Sequence, residues 1–167
     1  MVDALRLVLK KLYISQLKSR CREDDVMCGK GEFRFIGVVE VAGEERSRVR
    51  IFPEFCDALQ GIDGFSHIII LYWIHLRDNE KERSVLQVIP RRHTKKVGVF
   101  ACRSPSRPNP IGLCVVKLMK VEDCVLTVKG FDAFEGSPII DIKPYIPRAD
   151  SISDARVPEW TWSGPLT

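Results

Sequence analysis

The spacing of apolar residues changes character once along this chain. Near the amino terminus Leu5, Val8, Leu9, Leu12 and Leu17 recur at helical spacing, after Asp3 as a candidate N-cap and with Lys10, Lys11 and Lys18 placed towards the end, where the helix dipole favours cations. This predicts an amphipathic N-terminal helix, whose apolar face suits either packing on the core or a role as a partner-facing or RNA-facing arm. Residues 21–32, CREDDVMCGKGE, break the periodicity and read as a linker. From Phe33 onward, short runs rich in Val, Ile and Phe alternate with Gly, Pro and charged turns, which is the pattern of strands. Strands are predicted near Phe33–Val41, Arg46–Phe52, Phe65–His75, Ser84–Ile89, Val97–Ala101, Leu113–Val121, Cys124–Gly130 and Ile139–Ile142. Pro53–Leu59 reads as one short helix, and the two residues Glu122 and Asp123 as a hairpin turn.

Many short strands without intervening helices favour a closed antiparallel barrel over an α/β sheet. The predicted fold class is therefore mainly β: a small closed antiparallel β-barrel with an N-terminal helical extension and one or two short helices. The corresponding division is an N-terminal helix and linker at 1–32, a barrel domain at 33–150 and a C-terminal tail at 151–167. A chain of 167 residues with 45% hydrophobic and 29% charged residues is long enough to bury a core and too apolar for large-scale disorder.

Charge adds a hint of partner. Lys+Arg 26 against Asp+Glu 22 is a mild excess that permits nucleic acid without requiring it. The basic residues cluster at Arg46, Arg48 and Arg50, at Arg91, Arg92, His93, Lys95 and Lys96, and at Arg103 and Arg107. Each cluster alone also suits a solvated face. The six cysteines form no CxxC pair, and several sit in apolar runs, so they read as reduced core thiols. Cys21 and Cys28 lack further ligands at zinc-like spacing, and no metal is expected. No apolar run approaches the ~20 residues of a membrane span and no cleavable leader is evident, so a soluble, cytoplasmic protein with no membrane partner is expected.

Three segments carry candidate chemistry. In Gly98–Leu113, GVFACRSPSRPNPIGL, Pro105, Pro108 and Pro110 forbid helix and central strand and stiffen a loop bearing Arg103, Ser104, Arg107 and Asn109, which suits a polar or anionic ligand. In Gly64–His75 a period of two puts His67, Ile69, Leu71, Trp73 and His75 on one face, with His75 at a strand end. There His67 reads as a core or interface histidine, while His75 suits a structural or a functional role equally. In Phe131–Tyr145, Asp132 and Glu135 flank a Gly136-Ser137-Pro138 turn and are able to accept hydrogen bonds from an amine or from ribose hydroxyls. GKGEFRFIG opens no helix, so it is a poor dinucleotide fingerprint, and neither Ser104 nor Ser137 has a recognisable histidine partner for nucleophilic chemistry.

Taken in order, FIGVVE (35–40), GIDGFSHIIILYWIH (61–75), GVFACRSPSRPNPIGL (98–113) and FDAFEGSPIIDIKPYIP (131–147) resemble the signature segments of the TrmO family, also called YaeB or VirR proteins. The resemblance runs from about Phe35 to Asp150. It implies a small antiparallel barrel, usually a homodimer, unrelated to Rossmann methyltransferases. It also implies transfer of a methyl group from S-adenosylmethionine to N6 of the threonylcarbamoylated adenosine next to the anticodon of tRNA. Carried over by position, cofactor contacts fall at His75, Leu76, Arg103, Leu113, Asp132, Ala133, Phe134 and Glu135, with Asp132 and Glu135 as catalytic candidates. The aromatic faces of Phe134, Tyr72 and Tyr145 are candidates to attract the sulfonium cation. Arg91, Arg92, Lys95, Lys96, Arg107 and Lys143 are expected to meet RNA phosphates. Family members usually carry a longer insertion, with a Pro-Arg-Gln-like element, where this chain has only Ala42–Ser47. The alternative is therefore a non-catalytic RNA-binding barrel that has lost part of the cofactor site.

Overall fold

Alternation decides which face of each strand turns inward. In strand β2 (Ser47–Ile51) Ser47, Val49 and Ile51 are buried while Arg48 and Arg50 face solvent. In the long strand β6 (Ile111–Glu122) Gly112, Cys114 and Val116 are buried between exposed neighbours. The computed structural model describes residues 31–43, 45–90 and 93–163. The predicted N-terminal helix, Cys21, Cys28, Arg91 and Arg92 lie outside the described residues.

With β1 (Gly37–Val41), β3 (His67–Trp73), β7 (Val125–Lys129) and β8 (Pro138–Pro144), these strands close a six-stranded barrel in the order β1-β2-β7-β6-β3-β8. Every neighbouring pair is antiparallel. The fold is mainly β, as the strand pattern implied. Closure leaves no unpaired edge and buries the inward-facing residues, among them Val39, Val49, Ile68, Ile70, Val116, Leu126, Val128 and Ile139. A two-stranded ribbon, β4 (Gln87–Val88) and β5 (Val97–Gly98), is a separate sheet. The one-turn helices are α1 (Glu80–Arg83) and α2 (Pro147–Asp150).

Boundaries differ from the sequence reading in instructive places. Phe33–Ile36 and Phe65–Ser66 lie outside the strands, and Pro53–Leu59 is a 3₁₀ rather than an α-helical segment. The strand expected at Ser84–Ile89 shrinks because Asn79 caps α1, its side chain accepting from the Glu82 amide. Val99–Ala101 is a 3₁₀ turn, not the end of a strand. Between β6 and β7, Asp123 takes the left-handed conformation at φ 52° that a tight hairpin demands, in place of the usual glycine.

The antiparallel register sorts the connections into two groups. Trp73 pairs with Ile111, Tyr72 with Ile139, Ser47 with Val128 and Gly37 with Ile139. One end of the barrel thus receives the exit of β3, the entry of β6, the β1–β2 connection and the β7–β8 loop. The opposite end holds the β2–β3 segment, the β6–β7 hairpin and Tyr145, whose amide donates to the His67 carbonyl.

At that opposite end, Cys56 of the 3₁₀ segment is disulfide-bonded to Cys124 of the hairpin, with 5.2 Å between their Cα atoms. This corrects the reading of all six cysteines as reduced; Cys102 and Cys114 are the free ones among the described residues. The Ile51 amide donates to the Cys124 carbonyl at 2.7 Å, so the ladder itself brings the two segments side by side. A crosslink between residues 68 apart removes loop-closure entropy from the unfolded chain, worth about 4 kcal/mol in the chain-entropy picture. Thermal unfolding with and without a thiol reductant should show a lower midpoint in the reduced protein, and Cys124→Ser should melt at that lower midpoint in both conditions.

Candidate active site

The site end of the barrel is built around a tyrosine that the strand sequence forces inward. Tyr72 pairs with Gly112, and a Cβ on Gly112 would lie 2.2 Å from the Tyr72 ring, so the glycine makes room for it. The ring meets Phe131 edge to face at 5.3 Å. Its hydroxyl donates to Asp132 Oδ1 at 2.9 Å, which holds that carboxylate at the start of the β7–β8 loop. Burial, followed by the Asp132 charge beside it, pushes the Tyr72 hydroxyl above its ordinary range, so it stays protonated and donating. Tyr72 is thus a support for Asp132, not an aromatic face offered to a ligand. Tyr145, at the other end of the barrel, is no such face either.

Cys114 stands beside this pair. Burial first, then the Asp132 charge, pushes its thiol up to about 11, while Arg103 is near enough for its positive charge to act in the opposite sense. Its Sγ donates to the Gly130 carbonyl at 3.2 Å. A protonated, buried thiol of this kind is inert.

His75 leaves the strand. Ile74, at ψ 70°, ends the extended run, and His75 opens a 3₁₀ turn through Arg77. The expected single face from His67 to His75 therefore does not form; Ile68, Ile70 and Tyr72 point inward, and His67 is exposed beside the Ser66 hydroxyl. His75 instead turns toward the β7–β8 loop, where its Nδ1 lies 3.3 Å from Ser137 Oγ. Ser137 thus has a histidine partner that its sequence surroundings did not reveal, but at 1% exposure it supports the ring and cannot reach a substrate. Gly136, at φ 80°, provides the turn, and a Cβ there would lie 3.8 Å from His75 Nε2.

The third wall is the proline-rich loop. Arg107 does not face outward: its Nη2 donates to the Val99 carbonyl at 2.5 Å and to the Cys102 carbonyl at 2.8 Å. Its Nε is buried without a hydrogen-bond partner. The expectation that Arg107 meets RNA gives way to a clamp on carbonyls that the loop, short of backbone donors, leaves open. Arg103, four residues earlier, is exposed. A brace holds the far side, where Ser106 donates to Glu82, Arg83 Nε donates to the Pro108 carbonyl and Arg77 pairs with Glu82. Trp73 Nε1 and Arg83 both bond Asp78, tying the brace to β3.

Of the other sequence candidates, Leu76, Leu113, Phe134 and Glu135 are exposed, whereas Ala133 is buried and offers its backbone. Lys95 and Lys96 are exposed on the β4–β5 connection. Lys143 is exposed on the outward face of β8 and paired with Asp141 at 2.6 Å. The β1–β2 connection is closed on itself, with Ser47 Oγ and Gly43 exchanging hydrogen bonds. The site is thus walled by the β7–β8 loop, the His75 turn and the proline-rich loop, and is low on the β1–β2 side.

A family model described as the tRNA-methyltransferase O N-terminal domain matches residues 39–151, more than half of the sequence. The chain belongs to the TrmO family. A Methanothermobacter thermautotrophicus protein named "Probable S-adenosyl-L-methionine-binding protein" is 53% identical over 108 residues, 65% of this chain and 75% of that one. The human tRNA (adenine(37)-N6)-methyltransferase is 42% identical over 113 residues, 68% of this chain but 25% of the human protein. The crystal structure of TrmO from Pseudomonas aeruginosa superposes with TM-score 0.61 at 29% identity, covering 77% of this chain and 62% of that one. The TrmO match includes all six barrel strands except the first two residues of β1, and it includes the three walls of the site.

Two outcomes follow from the loop's supports. Arg107→Ala should destabilise the protein by about 2 kcal/mol in denaturant titration, the scale of hydrogen bonds to a charged group. The Ser106 hydroxyl holds Glu82, and the Trp73 indole holds Asp78, below the ordinary carboxylate range. A depressed folded pKa stabilises at pH above the unfolded value and is lost as pH falls through the folded one. The protection factors of the non-proline amides in residues 103–110, taken relative to the intrinsic exchange rate at each pH, should therefore fall as the pH drops through and below the carboxylate range. Glu82→Gln should already exchange faster at neutral pH and respond less to acid.

Proposed function

We propose that this chain transfers a methyl group from S-adenosylmethionine to N6 of the adenosine, threonylcarbamoylated in the full reading, that lies next to the anticodon of a tRNA. The observation that carries the reading is the meeting at one barrel end of a tyrosine-held carboxylate, Asp132, a serine-held imidazole, His75, and the cationic Arg103. That donor set fits the cofactor's chemistry: a carboxylate for ribose hydroxyls or an amino group, a guanidinium for the cofactor's own carboxylate, and exposed Leu76, Leu113 and Phe134 for its apolar and cationic parts. The relatives named for S-adenosylmethionine binding and for adenine-N6 methylation support the same assignment.

When bound, the sulfonium would supply a methyl group already activated for attack, the carbon–sulfur bond breaking as sulfur leaves as a neutral thioether. The chain's work is alignment and a place for a proton. Asp132, its Oδ1 fixed by Tyr72, keeps Oδ2 for the ligand. Glu135, exposed three residues on, is the carboxylate assigned to accept the proton that the adenine amine releases as its nitrogen bonds to the methyl carbon. Exposed Lys95, Lys96 and Lys143 supply positive charge for RNA phosphates. The reading includes a homodimer, in keeping with the exposed apolar residues Ile111 and Val115 on the outward face of β6.

The short β1–β2 connection favours a second reading, an RNA-binding barrel without methyl transfer. Incubation with methyl-labelled S-adenosylmethionine and tRNA, followed by nucleoside analysis, separates the two. Label is expected in an N6-methylated adenosine derivative. Arg103→Ala should weaken cofactor binding roughly tenfold or more, and Glu135→Gln should slow transfer at saturating cofactor on the order of 100-fold. Salt-sensitive tRNA binding with no label transferred would favour the second reading, and label in another nucleoside would overturn the substrate.

A further inference from the structure

Phe100 is the most exposed large apolar residue among those described, at 83%, and it sits on a rigid mount. Its neighbour Val99 is buried at 1%, and the Val99 amide donates to the Leu86 carbonyl at 3.0 Å. The Val99 carbonyl accepts from Arg107, as does that of Cys102, so the short turn bearing Phe100 is fixed on both sides. A free phenyl ring at this place gains nothing for the fold of the single chain, and the fixed turn prevents it from folding back onto the core. Leu86 and Ile89, at the base and beginning of the β4–β5 connection, are also exposed.

The chemistry around the ring specifies what would cover it. The β4–β5 ribbon departs from the barrel as its own sheet, with Gln87 opposite Gly98 and Val88 opposite Val97. Exposed Lys95 and Lys96 lie just before the ribbon's second strand. A flat apolar face on a ribbon that carries cations matches a nucleobase next to phosphates, since every base offers a π-face and every linkage a negative charge. The same loop continues through Arg103 to Pro110, whose carbonyl accepts from the Ile74 amide next to His75, so the mount is continuous with the candidate active site.

We propose that the β4–β5 ribbon is an RNA-binding arm in which Phe100 stacks on a base of the single-stranded loop of the substrate. This rests on the RNA-methyltransferase reading and adds to it a base-contacting residue.

The test uses the full chain, an anticodon stem–loop RNA carrying the threonylcarbamoylated adenosine 3′ of the anticodon, and a set of the same RNA with one other loop nucleotide at a time made abasic. Phe100→Ala should weaken binding of the intact stem–loop by roughly 5- to 100-fold, the range of base–aromatic stacking. Phe100→Tyr should stay near wild type, and S-adenosylmethionine affinity and melting temperature should be unchanged in both variants. One abasic RNA should bind wild type and Phe100→Ala with equal affinity, which identifies the stacked base. Unchanged affinity of Phe100→Ala for the intact RNA would overturn the proposal, as would a deficit that no abasic RNA removes. A parallel loss of S-adenosylmethionine binding would overturn it by placing Phe100 in the cofactor pocket. A changed sedimentation coefficient in Phe100→Ala would do so by placing the ring between protein chains. Wild-type protein that binds no stem–loop at all would end the RNA reading itself, whereas wild-type binding with an indifferent Phe100 ends only this step.

Discussion

The site depends on one guanidinium. A loop with prolines at 105, 108 and 110 has lost backbone donors, and its carbonyls must find partners from side chains or water. Arg107 supplies two such bonds from a single nitrogen, to Val99 and Cys102, and so fixes the turn that precedes Arg103. With that turn fixed, Arg103 is held near enough to Cys114 for its charge to act there, and Phe100 is exposed to solvent. An arginine suits this place because the cation must stay charged while half-buried.

Barrel closure explains why this loop can act with residues distant in sequence. Six antiparallel strands leave their connections at two ends only, and the register of β3 against β6 and β8 sends the His75 turn, the β7–β8 loop and the proline-rich loop to the same end. The other end carries the disulfide, which joins the 3₁₀ segment to the hairpin, away from the candidate site residues Asp132 and His75. Crosslink and candidate site are thus separated along the barrel, so the bond leaves the loops of the candidate site unrestricted.

What could be read from the sequence followed how local the controlling interaction is. The runs that became β3, β6 and β7 were legible because a half-buried strand needs only alternation and β-branched residues. Helix α1 was missed although Asn79 and Glu82 carry a cap signature, because the Val and Leu that follow suggested a strand. The Cys56–Cys124 pair is invisible to spacing rules at a separation of 68. Arg103 and Arg107 look alike as sequence, each close to serine and proline, and only the position of the Val99 and Cys102 carbonyls tells the clamp from the free cation. The convergence of His75, Arg103 and Asp132 came from family resemblance alone, since nothing in periodicity brings three loops together.

The tight β1–β2 connection gives the site its asymmetry. Ser47 is wholly buried and closes the turn on Gly43, and beyond it Lys129 pairs with Glu45 at 2.5 Å, so this side presents a short, self-satisfied hairpin. A ligand taken up as proposed at Asp132, His75 and Arg103 would meet walls from three loops and only this short hairpin on the fourth side. Fewer enclosing contacts mean less apolar burial and a weaker hold on a small cofactor, because affinity follows the surface removed from water. The same opening widens the approach for a large substrate such as an RNA loop, whose own stacked bases would complete the enclosure. On this geometry cofactor and RNA should support each other's binding, for each supplies the other with a wall that the β1–β2 hairpin is too short to provide.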